Sequence, residues 1–512
     1  MIDKRPIPPY FQLKTLLLEA ILSGEYGPGD RLPTEHELCE RYEISRTPVT
    51  RALSELAEDG VVLRHRRRGT FVNPHWLPRP ADQPEVRVIV PEGPWERNIR
   101  EAAPRDMRIN VVTVARPPLH QVLTSAVAEG QAPDLAVIDS VWVPEFAEAG
   151  FLHALEDLDE EWVRREHEVD FLGPLVAANR WGGRTFGVSA FADVAGLWYR
   201  RDALEAVGMA APRTWTELRT VARALARNGV SPPIVMPGGS RGGETTAYCL
   251  VAFLASNGAQ VLDGTRVTLG SPATAQALRF VRSLIDDGFM SRDVVGYEWD
   301  RPIRLLADGK VAISFGGSYE ARTLAEGLGV PMRELLDHVG FIAVPAGPRG
   351  APASVTGTMV YCILRQAAQP RLAMRLLESV VAAKQLARIA RTTGRIPSRR
   401  SAVALAAPAL PFLSQTAEML ERAVTRPATP VYPRVSAQLQ AMLEAVLTGR
   451  LGPARAARRT AELIAAITGL PVVEAPEGAH DRTHEGGAAA ASADGDRAER
   501  PGHLVPDDLG VV

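Results

Sequence analysis

Two helix starts, Thr34 and Ser45, stand close together near the N-terminus, and the residues around them leave this segment few ways to fold. Thr34 is followed three residues on by Glu37, the reciprocal pair of a capping box, so the spacing predicts a helix over Thr34 to Tyr42. Ser45 is a second N-cap, and Pro48 falls in the first turn that follows, where its missing N–H takes nothing from a helix. Val49, Ala52, Leu53, Leu56 and Ala57 then form one apolar face, with Thr47, Thr50, Arg51 and Ser54 pointing away from it. Upstream, Leu13, Leu16, Leu17, Ala20 and Ile21 have the period of an amphipathic helix, which Gly24, Gly27, Pro28 and Gly29 end. Downstream, Gly60 closes the second helix, and Val61 to Leu63 and Thr70 to Val72 read as two short strands around a basic run. The pattern predicts a helix-turn-helix followed by a β-wing.

The rest of the 512 residues must do something else. With 46% hydrophobic and 23% charged positions, the chain can bury more than one core, and its length suggests roughly three globular units. Residues 73–85 are Pro-rich, with Pro74, Pro78, Pro80 and Pro84, and read as a stiff linker. From Val86 onward, short apolar runs (Val86 to Val90, Leu135 to Ile138, Val311 to Phe315, Val339 to Val344, Met359 to Leu364) alternate with helical patterns such as Trp215 to Arg227 and Ala273 to Asp287, an α/β signature. Beyond about Glu474, Gly, Ala, Asp and His follow in low-complexity order and are expected to be disordered.

Met1 to Pro9 does not read as a secretory leader, and apolar stretches such as Leu250 to Ala255 are too short to span a membrane, so a cytoplasmic location without a membrane partner is expected. Cys39, Cys249 and Cys362 are too scattered for a disulfide framework or a metal knuckle and read as buried apolar residues. Net charge is only -2, so any nucleic-acid partner must be argued from the positions of charges and not from their sum.

The ordered segments PPYFQL, GPGDRLPTEHEL, ISRTPVTRALSEL and RHRRRGTFV together resemble the GntR family of bacterial transcriptional regulators. The resemblance implies that Ser45, Arg46 and Thr47, at the start of the recognition helix, contact DNA, and that Arg31, Glu35 and Gly69 occupy the family's characteristic positions. Helix N-termini and hydroxyls suit phosphate oxygens, and an arginine can grip guanine bidentately. Thr50 stands where much of the family has arginine, with Arg51 following, and His36 stands where some relatives have arginine, so no base preference carries over. In the wing, Arg64, Arg66, Arg67 and Arg68 read as a run without a counter-charge. Alone such a run is a solvated loop, but beside a helix-turn-helix it is expected to touch phosphates or the minor groove.

From about Val86 to Leu470 the chain resembles the extracellular solute-binding proteins of ABC transporters, of the carbohydrate-binding kind. The blocks are APDLAVIDSVWVPEFAEAGFLHALEDL, GGRTFGVSAFADVAGLWYRRDAL, PRTWTELRTVARAL, LLADGKVAISFGGSYEA, VGFIAVPAGP and VTGTMVYCIL, in that order. The resemblance implies two α/β lobes joined by hinge strands, with solute in the cleft between them. Candidate ligand residues are Asp139, Ser140 and Trp142 at the end of a strand, Asp193 in a hinge-proximal loop, Glu244 and Tyr248 at the start of a helix, Tyr319 after Gly316 and Gly317, Gly357 and Thr358 for close backbone approach, and Arg395 to close the cleft. Aromatic faces cover the C–H face of a sugar and carboxylates accept its hydroxyls. Trp142 and Tyr319 read equally well as core aromatics, and Asp193 and Glu244 as surface carboxylates or caps. Around Ser436, Gln438 and Leu439, where sugar-binding relatives carry neighbouring aromatics, a long oligosaccharide platform is truncated.

Two enzyme readings compete. Gly238, Ser240 and Gly242 fit a GxSxG nucleophile elbow, but His338 alone follows in the ordered sequence to complete a triad. A pyridoxal-phosphate domain would need a Schiff-base lysine, and only Lys310 and Lys384 exist outside the reader. His480 and His484 have helical metal spacing within the low-complexity tail and read as solvated. The expectation is therefore a multidomain chain: an all-α winged helix-turn-helix domain (residues 1–75), a Pro-rich linker (76–85), a two-lobed, type II periplasmic-binding-protein-like α/β domain (86–474) and a disordered tail (475–512). It is expected to bind a double-stranded DNA operator as a homodimer under the control of a small solute, a sugar or alternatively a polyamine anchored on Asp139 and Asp193. No cofactor, metal or catalytic residue is expected.

Overall fold

The computed structural model describes residues 9–22, 25–65, 68–74, 85–116 and 118–473. The N-terminal unit comprises α1 (Pro9–Leu22), α2 (Glu35–Tyr42), α3 (Arg46–Glu58), β1 (Val62–His65) and β2 (Gly69–Val72). The capping box forms as its sequence requires: Thr34 Oγ1 accepts from the Glu37 N–H at 3.2 Å, and the Glu37 carboxylate accepts from the Thr34 N–H at 2.7 Å. Glu43, with φ 54°, ends α2 in the left-handed conformation and turns the chain toward α3. β1 and β2 pair antiparallel from Val62↔Val72 to His65↔Gly69. Gly69 has φ +114°, and a Cβ there would come within 2.8 Å of Arg31 Nε, so both backbone and packing demand glycine. Leu13, Leu17, Leu38, Val49, Leu53, Leu56 and Val62 are buried together in a core of their own.

A second, larger core fills the remainder. β3 (Glu85–Pro91), β4 (Arg108–Val114) and β5 (Leu135–Asp139) run parallel, with α4 (Trp95–Ala102) and α5 (Leu119–Ala128) in the connections. β6 (Arg180–Trp181) and β7 (Arg184–Thr185) form a small hairpin before β8 (Val188–Arg200), whose residues are buried as far as Tyr199. Burial on both faces explains why β8 shows no polar alternation in sequence. Its first half pairs with β12 (Thr356–Ile363) and β13 (Ile396–Pro397); its second half pairs with β10 (Ile313–Gly317) and β11 (Val339–Ile342). β9 (Ile234–Val235) adds in parallel to β10, giving the path β4-β3-β5-β12-β8-β10-β9. One strand thus serves two lobes, with a register shift at Met359/Val360 within its pairing with β12, which continues to Tyr361↔Val188. The chain crosses between lobes at β8, at the segment entering β12, and again at residues 422–431, where Val424 bridges Val355.

Two expectations need correction. Asp193 lies within β8 and not in a loop, because the hinge is built from strand rather than coil. Cys39 is half-buried, whereas Cys249 and Cys362 are buried, since α2 is a surface helix with only Leu38 fully inside. The linker expected at 76–85 lies outside the described residues except for Glu85, which already opens β3. The tail expected at 475–512, with His480 and His484, also lies outside them.

Candidate functional site

The start of α3 presents Ser45, Arg46 and Thr47 to solvent, and the Ser45 hydroxyl makes no capping bond. Glu35 organises the surrounding charges. Its carboxylate accepts from Arg46 Nε at 3.0 Å, Thr50 Oγ1 at 3.3 Å and Arg64 Nη2 at 2.6 Å. Arg64 also donates to Ser54 Oγ at 2.7 Å. The expected run of wing arginines without a counter-charge is therefore corrected at Arg64, which Glu35 ties to α3. The acidic residue in this position orients two arginines and a hydroxyl. His36 sits exposed beside Glu40 at 3.4 Å. Arg68 is exposed, whereas Arg66 and Arg67 lie outside the described residues.

Arg51 turns away from the place a DNA contact would need. Its Nη2 donates to Tyr10 Oη at 3.1 Å, its guanidinium lies 3.7 Å from the Tyr10 ring centroid, and its Nε donates to Glu55 at 3.0 Å. Tyr10 is itself buried, and its Oη also accepts from the Thr113 N–H of β4 at 3.4 Å. One phenol therefore touches the recognition helix and a strand of the larger unit.

In the larger unit the candidate residues converge on the cleft between lobes, through a residue with no motif of its own. Arg426, on the third crossing, donates to Asp139 at the end of β5 and to Glu244 at the start of the helix Glu244–Ala255, both at 2.8 Å. It also reaches Ser140 Oγ at 3.3 Å, and its guanidinium lies 5.8 Å from the ring centroid of Tyr248 and 5.9 Å from that of Tyr432. Tyr432 Oη and Ser436 Oγ donate to the Glu244 carboxylate at 2.6 and 2.5 Å. A second pair lies at the hinge. Arg395 Nη1 bonds Asp193 at 2.8 Å, with Ser318 Oγ at 3.4 Å from the other carboxylate oxygen. Burial pushes the Asp193 carboxyl up, against the downward pull of Arg395 and Arg116.

The Tyr248 ring packs against glycine backbone: a Cβ at Gly357 would come within 3.0 Å of it and one at Gly317 within 3.3 Å. Tyr319 lies beside Trp299 (ring centroids 6.4 Å apart), and Trp299 is 51% exposed. The two ring planes are inclined at 49°. Behind them Glu320 is buried and its carboxyl is raised to about 8, burial being the main cause. Two expected ligand residues make side-chain contacts of their own. The Thr358 hydroxyl donates to the Phe191 carbonyl at 2.7 Å, inside the sheet. Trp142 stands edge-on to His120 at 4.9 Å, half-buried against the first lobe's core.

Residues 105–387 match the family model described as bacterial extracellular solute-binding protein, and residues 9–72 match that of the bacterial regulatory proteins, gntR family. The chain belongs to the bacterial extracellular solute-binding protein family and carries a gntR-family reader at its N-terminus. Over the solute-binding region it is 27% identical to a Deinococcus radiodurans protein named a probable ABC transporter-binding protein, across 67% of this chain and 81% of that one. Over the reader it is 36% identical to the arabinose metabolism transcriptional repressor of Geobacillus stearothermophilus, across 17% of this chain and 23% of that one. Among solved structures, the ABC transporter solute-binding protein of Thermotoga lettingae bound with alpha-D-tagatose superposes with a TM-score of 0.66 at 23% identity, covering 75% of this chain and 99% of that one. The GacH receptor of Streptomyces glaucescens also gives 0.66, at 19% identity, over 75% and 98%. The fold is thus that of two-lobed solute receptors.

For this solute-binding protein the sequence missed Arg116, Trp299, Arg426, Tyr432 and Ser436. Arg116 follows the C-terminal end of β4, where open α/β sheets place their ligands, and that position was a usable signal. Arg426 had none, because its partners lie 287 and 182 residues away. The GxSxG serine is exposed, and its Oγ lies 3.3 Å from Glu444 Oε2; no histidine is among its hydrogen-bond partners in the described residues. Lys310 pairs with Asp308 at the surface. Among the described residues no cluster of His, Cys, Asp and Glu could hold a metal, and no helix is long and apolar enough to cross a membrane.

Proposed function

We propose that this protein is a cytoplasmic transcription regulator that binds a two-fold operator in double-stranded DNA as a homodimer and releases it when a sugar occupies the cleft. The observation that carries this reading is that one strand serves both ends. β4 meets the reader at Thr113–Tyr10 and, three residues further on, delivers Arg116 to the cleft. Ligand binding that shifts the end of β4 moves the acceptor on which Arg51 of α3 rests, and so biases the recognition helix. Ser45, Arg46, Thr47 and the wing arginines make the DNA contacts; Arg31, Glu35, Thr50 and Arg51 hold them in place.

A sugar is supported by the exposed Trp299 beside Tyr319 and by the solutes named for similar receptors and for the arabinose repressor. A polyamine is disfavoured because Asp139 and Asp193, its would-be anchors, each already hold an arginine at 2.8 Å. Allosteric coupling of about 1–3 kcal/mol changes affinity roughly 5- to 150-fold.

The test is gel-shift titration of the full-length protein against its upstream DNA, with and without a sugar panel, alongside light scattering for oligomeric state. Release by a sugar that also raises the melting temperature supports the reading. Tightening by the sugar would reverse the logic to co-repression or activation, and binding as a monomer would remove the two-fold operator.

A further inference from the structure

The cleft has more hydrogen-bond donors than free acceptors, and this imbalance says something about the ligand. Asp139 and Glu244 share Arg426, Asp193 holds Arg395, and Glu244 also accepts from Tyr432 and Ser436. Every carboxylate of the cleft is thus already engaged. Arg116 is not. It is exposed to solvent, yet it sits where Arg395, Asp139, Asp193 and Tyr319 all act on it. It stands past the C-terminal end of β4, which in the parallel sheet lies level with the end of β5 that carries Asp139, and so on the cleft side of the sheet. Among the described residues its guanidinium makes no ion pair and no hydrogen bond, so its five N–H donors are free for a ligand. A second polar group is also unpartnered there: Tyr248, 5% exposed, has no hydrogen-bond partner for its Oη and lies among Asp193, Tyr319 and Arg426.

We infer that the ligand is an acidic sugar, its phosphate or carboxylate gripped by Arg116 while the ring lies toward Trp299 and Tyr319. An oxyanion offers acceptors to a planar fork of donors in the geometry an arginine matches best. Neutral hydroxyls would leave most of the fork's capacity, and its charge, unanswered. The nearby arginines Arg395 and Arg426 make the site more favourable to an anion, while Asp139, Asp193 and Glu244 counter them, so Arg116 supplies the decisive contact. This inference rests on the sugar-sensing reading above and narrows it.

The experiment uses the full-length protein and matched sets of hexoses, hexose phosphates and hexuronic acids, with inorganic phosphate as a separate arm, read by thermal shift and calorimetry. The expected result is that one acidic member binds more tightly than its neutral parent. Arg116→Gln should weaken the acidic ligand by roughly 10- to 150-fold, the range of a charged hydrogen-bonded contact, and Arg116→Lys by less. Both variants should melt within about 1 °C of the wild type without ligand, since the Arg116 side chain makes no hydrogen bond or ion pair among the described residues. A phosphate sugar and a uronic acid are told apart by which set binds. Equal or tighter binding of the neutral parent overturns the inference and leaves the sugar sensor standing. Inorganic phosphate binding that Arg116→Gln leaves unchanged overturns it too, as it places the anion site elsewhere. A protein that binds DNA but no sugar of any set overturns the sensor reading itself.

Discussion

Replacing Arg426 by methionine is expected to destabilise the larger unit by about 2–3 kcal/mol. The arginine side chain is 4% exposed and holds Asp139 and Glu244, one from each side of the cleft. Removing one member of a buried ion pair generally costs about 3–5 kcal/mol, because the partner charge is left without compensation. Two features lower the figure here. The Asp139 and Glu244 side chains are 22% and 34% exposed, so water recovers part of the loss. Glu244 also keeps Tyr432 and Ser436. At about 2–4 °C per kcal/mol for a large domain, the melting transition should fall by roughly 5–10 °C. Differential scanning calorimetry gives the shift, and a double-mutant cycle with Asp139→Asn isolates the pair, for which a coupling of about 1–2 kcal/mol is expected. Small-angle scattering should show a larger radius of gyration for Arg426→Met, as the contact spans the lobes. A melting shift under 1 °C together with strict additivity in the cycle would refute the idea that Arg426 fastens the cleft.

Three further outcomes are expected. Glu35→Gln should weaken operator binding roughly tenfold in a gel shift while changing stability by less than about 1 kcal/mol, since it frees Arg46 and Arg64 at an exposed surface; unchanged affinity would mean that Glu35 does not aim them. Tyr10→Phe keeps the ring under Arg51 but removes its hydroxyl, so DNA binding without ligand should persist, whereas the ligand-induced change in affinity should shrink several-fold; an unchanged response places the coupling elsewhere. Buried His167 has both ring nitrogens without partners, and burial, aided by Arg180 and Arg399, depresses it to about 4. A depressed histidine favours the folded state above its unfolded value of 6.5, and this stability is lost as pH falls toward 4, by up to about 3 kcal/mol. His167→Phe should flatten that acid limb in pH-dependent melting; an identical limb in both proteins counts against the assignment.

The reader was nearly all legible because its signals are local. Thr34 and Glu37 cap α2 within one helical turn, Pro48 falls in the first turn of α3, and the apolar face of α3 follows directly from its period. The two-lobed architecture was legible only through resemblance, since β8 is buried on both faces and carries no alternation. Site residues split along the same line. Glu244 and Tyr248 stand at a helix start that a glycine turn announces, and Gly357 is required by close packing against Tyr248. Asp193 is expected in a hinge-proximal loop through the resemblance alone, and a carboxylate within a buried strand gives no local signal of its true place in β8. Thr358 is expected to offer close backbone approach beside Gly357, and its hydroxyl is tied to the Phe191 carbonyl inside the sheet, a contact no local pattern announces. Arg426 sits in TRPAT, where nothing in the surrounding sequence distinguishes it from other loop arginines.

That last difficulty is general to the arginines of this chain, and it bears on how their roles divide. An arginine held by a carboxylate has given up part of its charge and all of its freedom, so it positions other groups. An arginine without a partner keeps donors for something outside the protein. In the reader, Glu35 holds Arg46 and Arg64, and Tyr10 and Glu55 hold Arg51, whereas Arg68 has no ion pair among the described residues. In the cleft, Asp193 holds Arg395, Asp139 and Glu244 hold Arg426, and Arg116 has no ion pair among the described residues. The partners of Arg64, Arg395 and Arg426 are 29, 202 and up to 287 residues away, so pairing is a product of the fold that no local pattern encodes. The division also predicts how neutralisation should sort. Loss of an unpaired arginine removes a counterion contact and lowers the salt dependence of DNA binding, or the affinity for an anionic ligand, at constant stability. Loss of a paired arginine strands a carboxylate and lowers stability first. Arg46 is the mixed case, tethered through Nε alone with its other donors open to solvent, so its removal should lower operator affinity and its salt slope together while stability barely moves.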